Sequence, residues 1–178
     1  LENPNYDVCY EETTIDFRVR EKPIFDLAEK ATICMTNTPE LTIAVENPNG
    51  YHSYTWKDEN NTTISSFSDV TLTRGGVYKV FATSIFGCTS IEKEIIIEES
   101  SKAMITIDDI EVIDDTNNNS IKVNTSNLGL GAYEFQLLDD NSTIISDYQN
   151  TSFFDNLEGG VYTLVVNDIK GCGAVSFD

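Results

Sequence analysis

The sequence predicts an all-β fold made of tandem β-sandwich domains. Strand-forming Val, Ile, Tyr and Phe are dense, and stretches rich in Asn, Thr, Ser and Asp, which favour turns, separate them. Short segments of alternating apolar and polar residues recur about every 8–12 residues, a spacing typical of sandwiches. A chain of 178 residues has room for two small domains. Together with an internal repeat, these features indicate two sandwiches in series.

The internal repeat is a hairpin motif that occurs twice. TLTRGGVYKVFATSIFGCTS at 71–90 matches NLEGGVYTLVVNDIKGCGA at 156–174, and the glycines, tyrosine and cysteine of the two copies keep a constant offset of 84 positions. The paired glycines predict tight turns with positive φ ahead of a buried strand. These repeat-turn glycines are Gly75, Gly76, Gly159 and Gly160. A Gly-Cys turn then reverses the chain, so the motif predicts a strand, a turn and a closing strand.

The repeat divides the chain into three segments. Residues 1–24 are predicted to be the last strand or strands of a truncated preceding repeat, because CYEETTIDFRV from Cys9 has the same cysteine-then-strand form as CTSIEKEIII from Cys88. Residues 26–98 are predicted to form an Ig-like β-sandwich, and residues 101–178 a second one whose last strand is either complete or truncated. Both ends of the sequence are therefore expected to continue in a longer polypeptide.

Two sets of apolar residues carry the core predictions. Ile95 and Ile97 alternate with outward-facing neighbours along a closing strand and are expected to face the core. Tyr51, Tyr54 and Trp56 have two interpretations, either a stacking platform for sugar rings or, for the alternating Tyr54 and Trp56, core packing. The alternation favours the core.

The four cysteines contain no CxxC pair, which argues against a zinc ribbon and favours structural disulfides outside the cytoplasm. Cys34 precedes the first predicted strand of the first sandwich and Cys88 precedes the last, so the sequence predicts a Cys34–Cys88 disulfide that ties the two ends of one domain. Cys9 and Cys172 have two interpretations, either unpaired remnants of the repeat or partners of another segment of the parent protein.

The charge of the chain limits its partners. Eleven basic and thirty acidic residues give a net charge of −19, which repels phosphate backbones and predicts no nucleic-acid binding. No stretch approaches the roughly 20 apolar residues that a membrane helix needs. Any Ser-His-Asp arrangement would depend on His52, the single histidine, and neighbouring strand carboxylates point to opposite faces. No catalytic residue and no cofactor is predicted.

One polar segment resembles a cation site. In DDTNNNS, Asp115, Asn117 and Asn119 place oxygen ligands at alternate positions, as the opening of a calcium loop does. Ser120 stands where an EF-hand has glycine and Ser126 where it has the bidentate glutamate, which excludes an EF-hand. The segment is either a polar hairpin, the favoured interpretation, or a weak calcium site.

The repeat motifs resemble those of a family of bacterial surface proteins. GGVYxVxAxxxxGC, and in the second half IDDIEVIDDTNNNSIKV, YEFQL and FFDNLEGGVYTLVVNDIKGCG, are similar to surface proteins of gliding Bacteroidetes. In those proteins, Ig-like or PKD-like repeats precede a C-terminal sorting domain called gliding-motility-associated or type IX secretion type B. The likeness covers most of residues 1–178 and is clearest at 104–174.

This resemblance implies a non-catalytic stalk or adhesive region of a large secreted adhesin, associated with the outer membrane and active in gliding motility or surface attachment. Its implied partners are other repeats of the same polypeptide, a surface polysaccharide or protein ligand, and anchoring or secretion machinery reached through a C-terminal domain outside this sequence. The alternative is an accessory or carbohydrate-binding sandwich region of a secreted polysaccharide-degrading enzyme. An exposed aromatic strip on one sheet face would favour that alternative.

Overall fold

A computed structural model describes residues 12–114 and 118–178. The first half contains seven strands: β1 (Lys30–Cys34), β2 (Leu41–Ala44), β3 (His52–Lys57), β4 (Thr63–Ser65), β5 (Asp69–Leu72), β6 (Gly76–Ser84) and β7 (Lys93–Ser100). The second half contains β8 (Ile110–Ile113), β9 (Asn119–Val123), β10 (Tyr133–Asp139), β11 (Ile144–Gln149), β12 (Phe153–Leu157), β13 (Tyr162–Asp168) and β14 (Gly173–Phe177), after a single 3₁₀ turn at Ile107–Asp109. In the described residues, no helix is both long and apolar enough to cross a membrane. The all-β prediction is confirmed.

The first sandwich packs a five-stranded sheet of order β1-β7-β6-β3-β4 against the β2-β5 pair. Alternation along each strand places its apolar face between the two sheets, as it does for Ile95 and Ile97, which are buried, while Ile96 is 39% exposed. Tyr54 and Trp56 also lie in this core, so the core interpretation of these two aromatic residues is confirmed. The larger sheet therefore supplies most of the core residues.

The second sandwich packs the sheet β11-β10-β13-β14 against β12-β9-β8. Its core includes Phe135, Leu137, Phe154 and Val166. The first strands of the two sandwiches join different sheets, because β1 runs parallel to β7 in the larger sheet whereas β8 is antiparallel to β9 in the smaller one. The two copies of the repeat therefore share their later strands and differ at their first.

A second repeated element is a five-residue turn that an aspartate organises. Asp58 Oδ1 accepts hydrogen bonds from the N–H groups of Asn60 and Thr62, both at 2.9 Å. Asp139 Oδ1 does the same with the residues two and four positions later, at 2.9 and 2.7 Å. The hydrogen bond from the Thr143 N–H is the main reason that the pKa of Asp139 lies below its usual value. Asp139 is thus a turn residue.

The main role of the GGVY motif is to position its tyrosine, and a positive φ at the glycines is secondary. The Tyr78 hydroxyl donates a hydrogen bond to the Arg74 carbonyl at 3.1 Å, and the equivalent Tyr162 hydroxyl donates to the Glu158 carbonyl at 2.8 Å. Each tyrosine ring lies against the second glycine of its pair, Gly76 or Gly160. The hydroxyl thereby fixes the turn that leads into β6 or β13.

The predicted positive φ at the paired glycines is correct only for Gly76, at 146°. Gly75 is required for another reason, because a Cβ there would lie 2.6 Å from Cγ of Glu99 and 2.8 Å from the Ile97 carbonyl oxygen of β7. Gly159 and Gly160 have no positive φ, and apart from its chain neighbours no atom of the described residues lies within 4 Å of a Cβ at Gly159. The shared glycines therefore have different roles in the two copies.

The N-terminal segment does not form the predicted strand within its described part. Residues 12–22 have no regular secondary structure and are exposed, and the first sandwich begins with the buried Pro23 and Phe25. Residues 1–11 lie outside the described residues. That residues 1–24 belong to a preceding repeat stays a prediction.

We expect neighbouring isoleucines of β7 to differ sharply in their effect on stability. Ile95→Ala removes a fully buried side chain and should lower the free energy of unfolding by about 2–5 kcal/mol. The matched control, Ile96→Ala on the outer face, should change it by less than about 1 kcal/mol. Urea denaturation followed by tryptophan fluorescence measures both, and similar losses in the two variants would contradict the assignment of faces.

Candidate functional site at the junction of the two sandwiches

The two sandwiches are joined by a disulfide between Cys34 and Cys172, whose Cα atoms are 5.4 Å apart. Cys34 ends β1, and Cys172 lies in the turn between β13 and β14. The bridge therefore links the first sandwich to the last hairpin of the second, across 138 positions of sequence.

The predicted Cys34–Cys88 disulfide is wrong, since Cys34 is bonded to Cys172, and among the described residues Cys88 is a free, half-buried thiol. Cys34 lies at the end of β1, where the parallel register pairs it with Ser100 at the end of β7. Cys88 precedes β7, so it lies at the other end of that strand, whose eight residues span about 26 Å at roughly 3.3 Å each. A parallel first strand thus separates two cysteines that an antiparallel one would have brought together.

A buried aspartate is the second link between the sandwiches. The Asp168 carboxylate, 1% exposed, accepts hydrogen bonds from the Ser100 hydroxyl at 2.8 Å and from the Cys172 N–H at 3.0 Å. It also accepts from the N–H groups of Ala132 at 3.1 Å and Lys170 at 3.3 Å. Burial raises the pKa of Asp168, but these four hydrogen bonds together outweigh burial and hold the pKa below its usual value.

A glycine-rich loop of the second sandwich closes on the connecting segment. The Tyr133 hydroxyl donates to the Ser101 carbonyl at 3.1 Å and accepts from the Gly131 N–H at 2.9 Å. A Cβ at Gly131 would lie 2.6 Å from the Tyr133 ring and 2.7 Å from Asp168 Oδ1, and one at Gly129, where φ is +113°, would lie 2.7 Å from Ser101 Oγ. The two glycines therefore let the loop approach the connection closely.

Charged and backbone contacts complete the junction. Lys170 forms an ion pair with Glu98 at 2.9 Å, and this ammonium is the main reason that the pKa of Glu98 lies below its usual value. The Met35 N–H donates to the Ser100 carbonyl at 2.7 Å. Because the ion pair is partly exposed, it contributes little to stability. The disulfide and the buried carboxylate are the stronger links.

The sequence did not identify this junction. Asp168, Ser100 and Tyr133 are buried or partly buried polar residues at strand ends, and sequence alternation gives no signal for them. One signal is present in the sequence: the second glycine of the LGLGAY segment stands two residues before a tyrosine, as the second glycine of GGVY does.

The other predicted site residues are dispersed. Asp115 and Asn117 of the calcium candidate lie outside the described residues, and Asn119 begins β9. Within residues 12–114 and 118–178, no cluster of three His, Cys, Asp or Glu side chains has the arrangement of a metal site. The calcium site stays a prediction. Of the three aromatic candidates for sugar stacking, only Tyr51 is exposed, at 74%.

We expect the Asp168 contribution to stability to depend on pH. A carboxylate whose pKa is lowered on folding stabilises the fold above its unfolded pKa of about 3.9, and this stabilisation is lost as the pH falls through the folded pKa. Asp168→Asn should therefore lower the free energy of unfolding by about 2 kcal/mol at pH 7. The difference in unfolding free energy between the variant and the native chain should become smaller below about pH 4. Denaturation at pH 7, 5, 4 and 3 measures it.

The control for this experiment is Asp155→Asn, on the exposed face of β12. Its free energy of unfolding should stay close to that of the native chain at every pH. A difference for Asp168→Asn that stays constant from pH 7 to pH 3 would show that the charge of Asp168 does not contribute.

We expect removal of the disulfide to weaken the whole chain. The double variant Cys34→Ser/Cys172→Ser should lose about 2–5 kcal/mol of unfolding free energy, because the bridge closes a loop of 138 positions in the unfolded chain. Cys88→Ser, the matched control, should change it by less than about 1 kcal/mol. Denaturation without reductant tests the pairing, which a large loss in Cys88→Ser alone would contradict.

Several known structures are similar to this chain at low sequence identity. Domains A168–A170 of titin match with a TM-score of 0.51 and 13% identity over 85% of this chain and 59% of that one, so this chain spans 59% of the length of the titin segment. A two-domain fibronectin type III segment of chicken tenascin (TM-score 0.38, 11% identity, 85% and 95% covered) and bovine butyrophilin (0.44, 8%, 88% and 94%) also match. No protein-family model and no curated protein matches the sequence. At these identities the likeness shows the fold alone: the chain is all-β with open sheets, and its structural neighbours are immunoglobulin-like and fibronectin type III-like.

Proposed function

We propose that this chain is a non-catalytic stalk and adhesive region of a large secreted cell-surface adhesin that acts in surface attachment or gliding. The observation that carries the proposal is the junction, where a disulfide and a buried carboxylate hold two sandwiches in series. A spacer must keep its domains from collapsing onto one another, and covalent linkage of neighbouring sandwiches has that effect. A disulfide of this kind is typical of proteins outside the cytoplasm.

The finer parts of the proposal rest on the resemblance of the repeat motifs to gliding Bacteroidetes surface proteins. On that basis the parent protein is exported by a type IX route and held at the outer membrane by a C-terminal sorting domain. Its ligand is a surface polysaccharide or protein. The net charge of −19 supports a well-hydrated surface that does not stick to anionic cell envelopes without a specific contact.

Adhesion by such a region depends on many weak contacts. Sandwich repeats displayed in many copies strengthen weak individual binding through effective concentration. The carbohydrate-binding alternative gains no support from the aromatic candidates, because Tyr54 and Trp56 are buried in the core of the first sandwich.

We expect beads coated with the oxidised chain to attach to polysaccharide- or protein-coated surfaces under flow, with retention that rises more steeply than coating density. The same chain in solution should bind weakly. Beads coated with an unrelated acidic protein of similar net charge control for electrostatics. Density-independent retention, or release of soluble sugars from the polysaccharide, would contradict a non-catalytic adhesive stalk.

A further inference from the structure

The first sandwich carries a second copy of the turn that docks at the junction. This copy, residues 84–88, is here called the pole turn, and the equivalent residues 168–172 at the junction are called the junction turn. Gly87 and Gly171 have φ of 82° and 94°, and their N–H groups donate to the carbonyls three residues earlier at 2.9 and 3.0 Å. The Cys88 N–H donates to Ser84 Oγ at 3.2 Å, as the Cys172 N–H donates to Asp168 Oδ2 at 3.0 Å. The pole turn therefore presents Cys88 as the junction turn presents Cys172.

The disulfide of the junction turn links two sandwiches and does not lie within one of them. Cys172 bonds to Cys34, which ends the first strand of the preceding sandwich. By the same geometry, Cys88 is presented toward whatever lies before the first sandwich. Its thiol is free in the described part of the chain.

The surface around the pole turn is apolar and open. Tyr51 is 74% exposed, Ile85 70% and Phe86 57%, and together with the segment 19–21 they border a groove of about 580 Å³. Nδ1 of His52, which also lines this groove, is buried without a hydrogen-bond partner among the described residues. Exposed rings beside an unsatisfied buried nitrogen are typical of a surface that another domain covers.

The segment that leads to this groove has the pattern of a last strand without its sheet. Ile15, Phe17 and Val19 alternate and are 66%, 85% and 95% exposed. At an offset of 80 positions, Ile15 and Phe17 correspond to Ile95 and Ile97, which are buried in β7.

The residues that follow Val19 support the same offset of 80 positions. Pro23, Ile24 and Phe25 are buried, exposed and buried, as are their counterparts at 103–105. In the same register Arg20 corresponds to Ser100, the residue that contacts the junction turn, and the Arg20 guanidinium lies 3.7 Å from the centre of the Phe86 ring in the pole turn. Arg20 thus approaches the pole turn as Ser100, at the end of β7, approaches the junction turn.

We propose that the groove at the pole turn is the docking surface for a preceding β-sandwich of the same polypeptide, whose last strand is residues 15–20, and that Cys88 forms a disulfide with a cysteine at the end of that sandwich's first strand. This inference rests on the proposed stalk function and extends it to a disulfide between successive sandwiches. The two thiols lose two protons and two electrons by exchange with an oxidising disulfide of the export compartment, which is reduced to a dithiol.

Cys9 is not the partner on this view. Cys9 stands six residues before Ile15, and Cys88 stands seven residues before Ile95, so Cys9 corresponds to the turn cysteine of the preceding sandwich rather than to its first-strand cysteine. The 178-residue chain by itself should therefore contain two free thiols, Cys9 and Cys88.

The test compares this chain with its natural polypeptide extended upstream by one sandwich. Alkylation under denaturing conditions without reductant, followed by peptide mapping, should label Cys88 fully in the 178-residue chain and almost not at all in the extended one, where its peptide is linked to a first-strand cysteine from before residue 1. Cys88→Ser in the extended chain should release exactly one new thiol, and Phe86→Ala should leave the 178-residue chain folded while it slows bridge formation in the extended one.

A Cys88 peptide linked to Cys9, a Cys88 that stays fully labelled in the extended chain, or an upstream sequence without a β-sandwich would overturn the inference. A free Cys88 beside intact bead attachment would overturn the docking proposal alone. Loss of bead attachment with Cys88 bridged would overturn the adhesive function alone.

Discussion

The parallel pairing of β1 with β7 is the constraint on which the junction depends. It places the last residue of the first strand beside the last residue of the last strand, with Cys34 in register with Ser100. The chain leaves β7 at that point and enters the second sandwich at once, so that the bridge, the buried carboxylate and the glycine-rich loop all meet there. A slip of one residue in this register would turn Cys34 to the opposite face of the sheet and remove the bridge.

Asp168 shows how one position of a repeat acquires a different role. The equivalent residue of the first sandwich is Ser84, in the pole turn. Its neutral hydroxyl accepts the hydrogen bond from the Cys88 N–H. At the junction, a carboxylate satisfies the same group and also binds Ser100 of the neighbouring sandwich. A charge is tolerable in that buried place because four donors surround it.

The parts of the fold that follow from periodicity are predictable from the sequence. Alternation identified Trp56, Ile95 and Ile97 as core residues, and the repeated motif identified two sandwiches. The disulfide was missed because periodicity defines a strand without its direction relative to a partner, and the pairing of Cys34 depends on that direction. The described segment 12–22 alternates as a strand does but has no regular secondary structure, because alternation is a property of the side chains, whereas a strand also needs neighbours to accept its backbone hydrogen bonds.

The bridge also determines how the chain carries a mechanical load. A pull applied at the two ends reaches Cys34 from one side and Cys172 from the other, and the covalent bond then transmits the force without loading the residues between them. The 138 positions between the two cysteines hold roughly 470 Å of contour length, at about 3.4 Å per residue, which cannot be drawn out while the bond is intact. The extensibility of this region therefore depends on its redox state. While the disulfide is oxidised, the segment between the two cysteines cannot lengthen under load, and once it is reduced, that segment can unfold and extend.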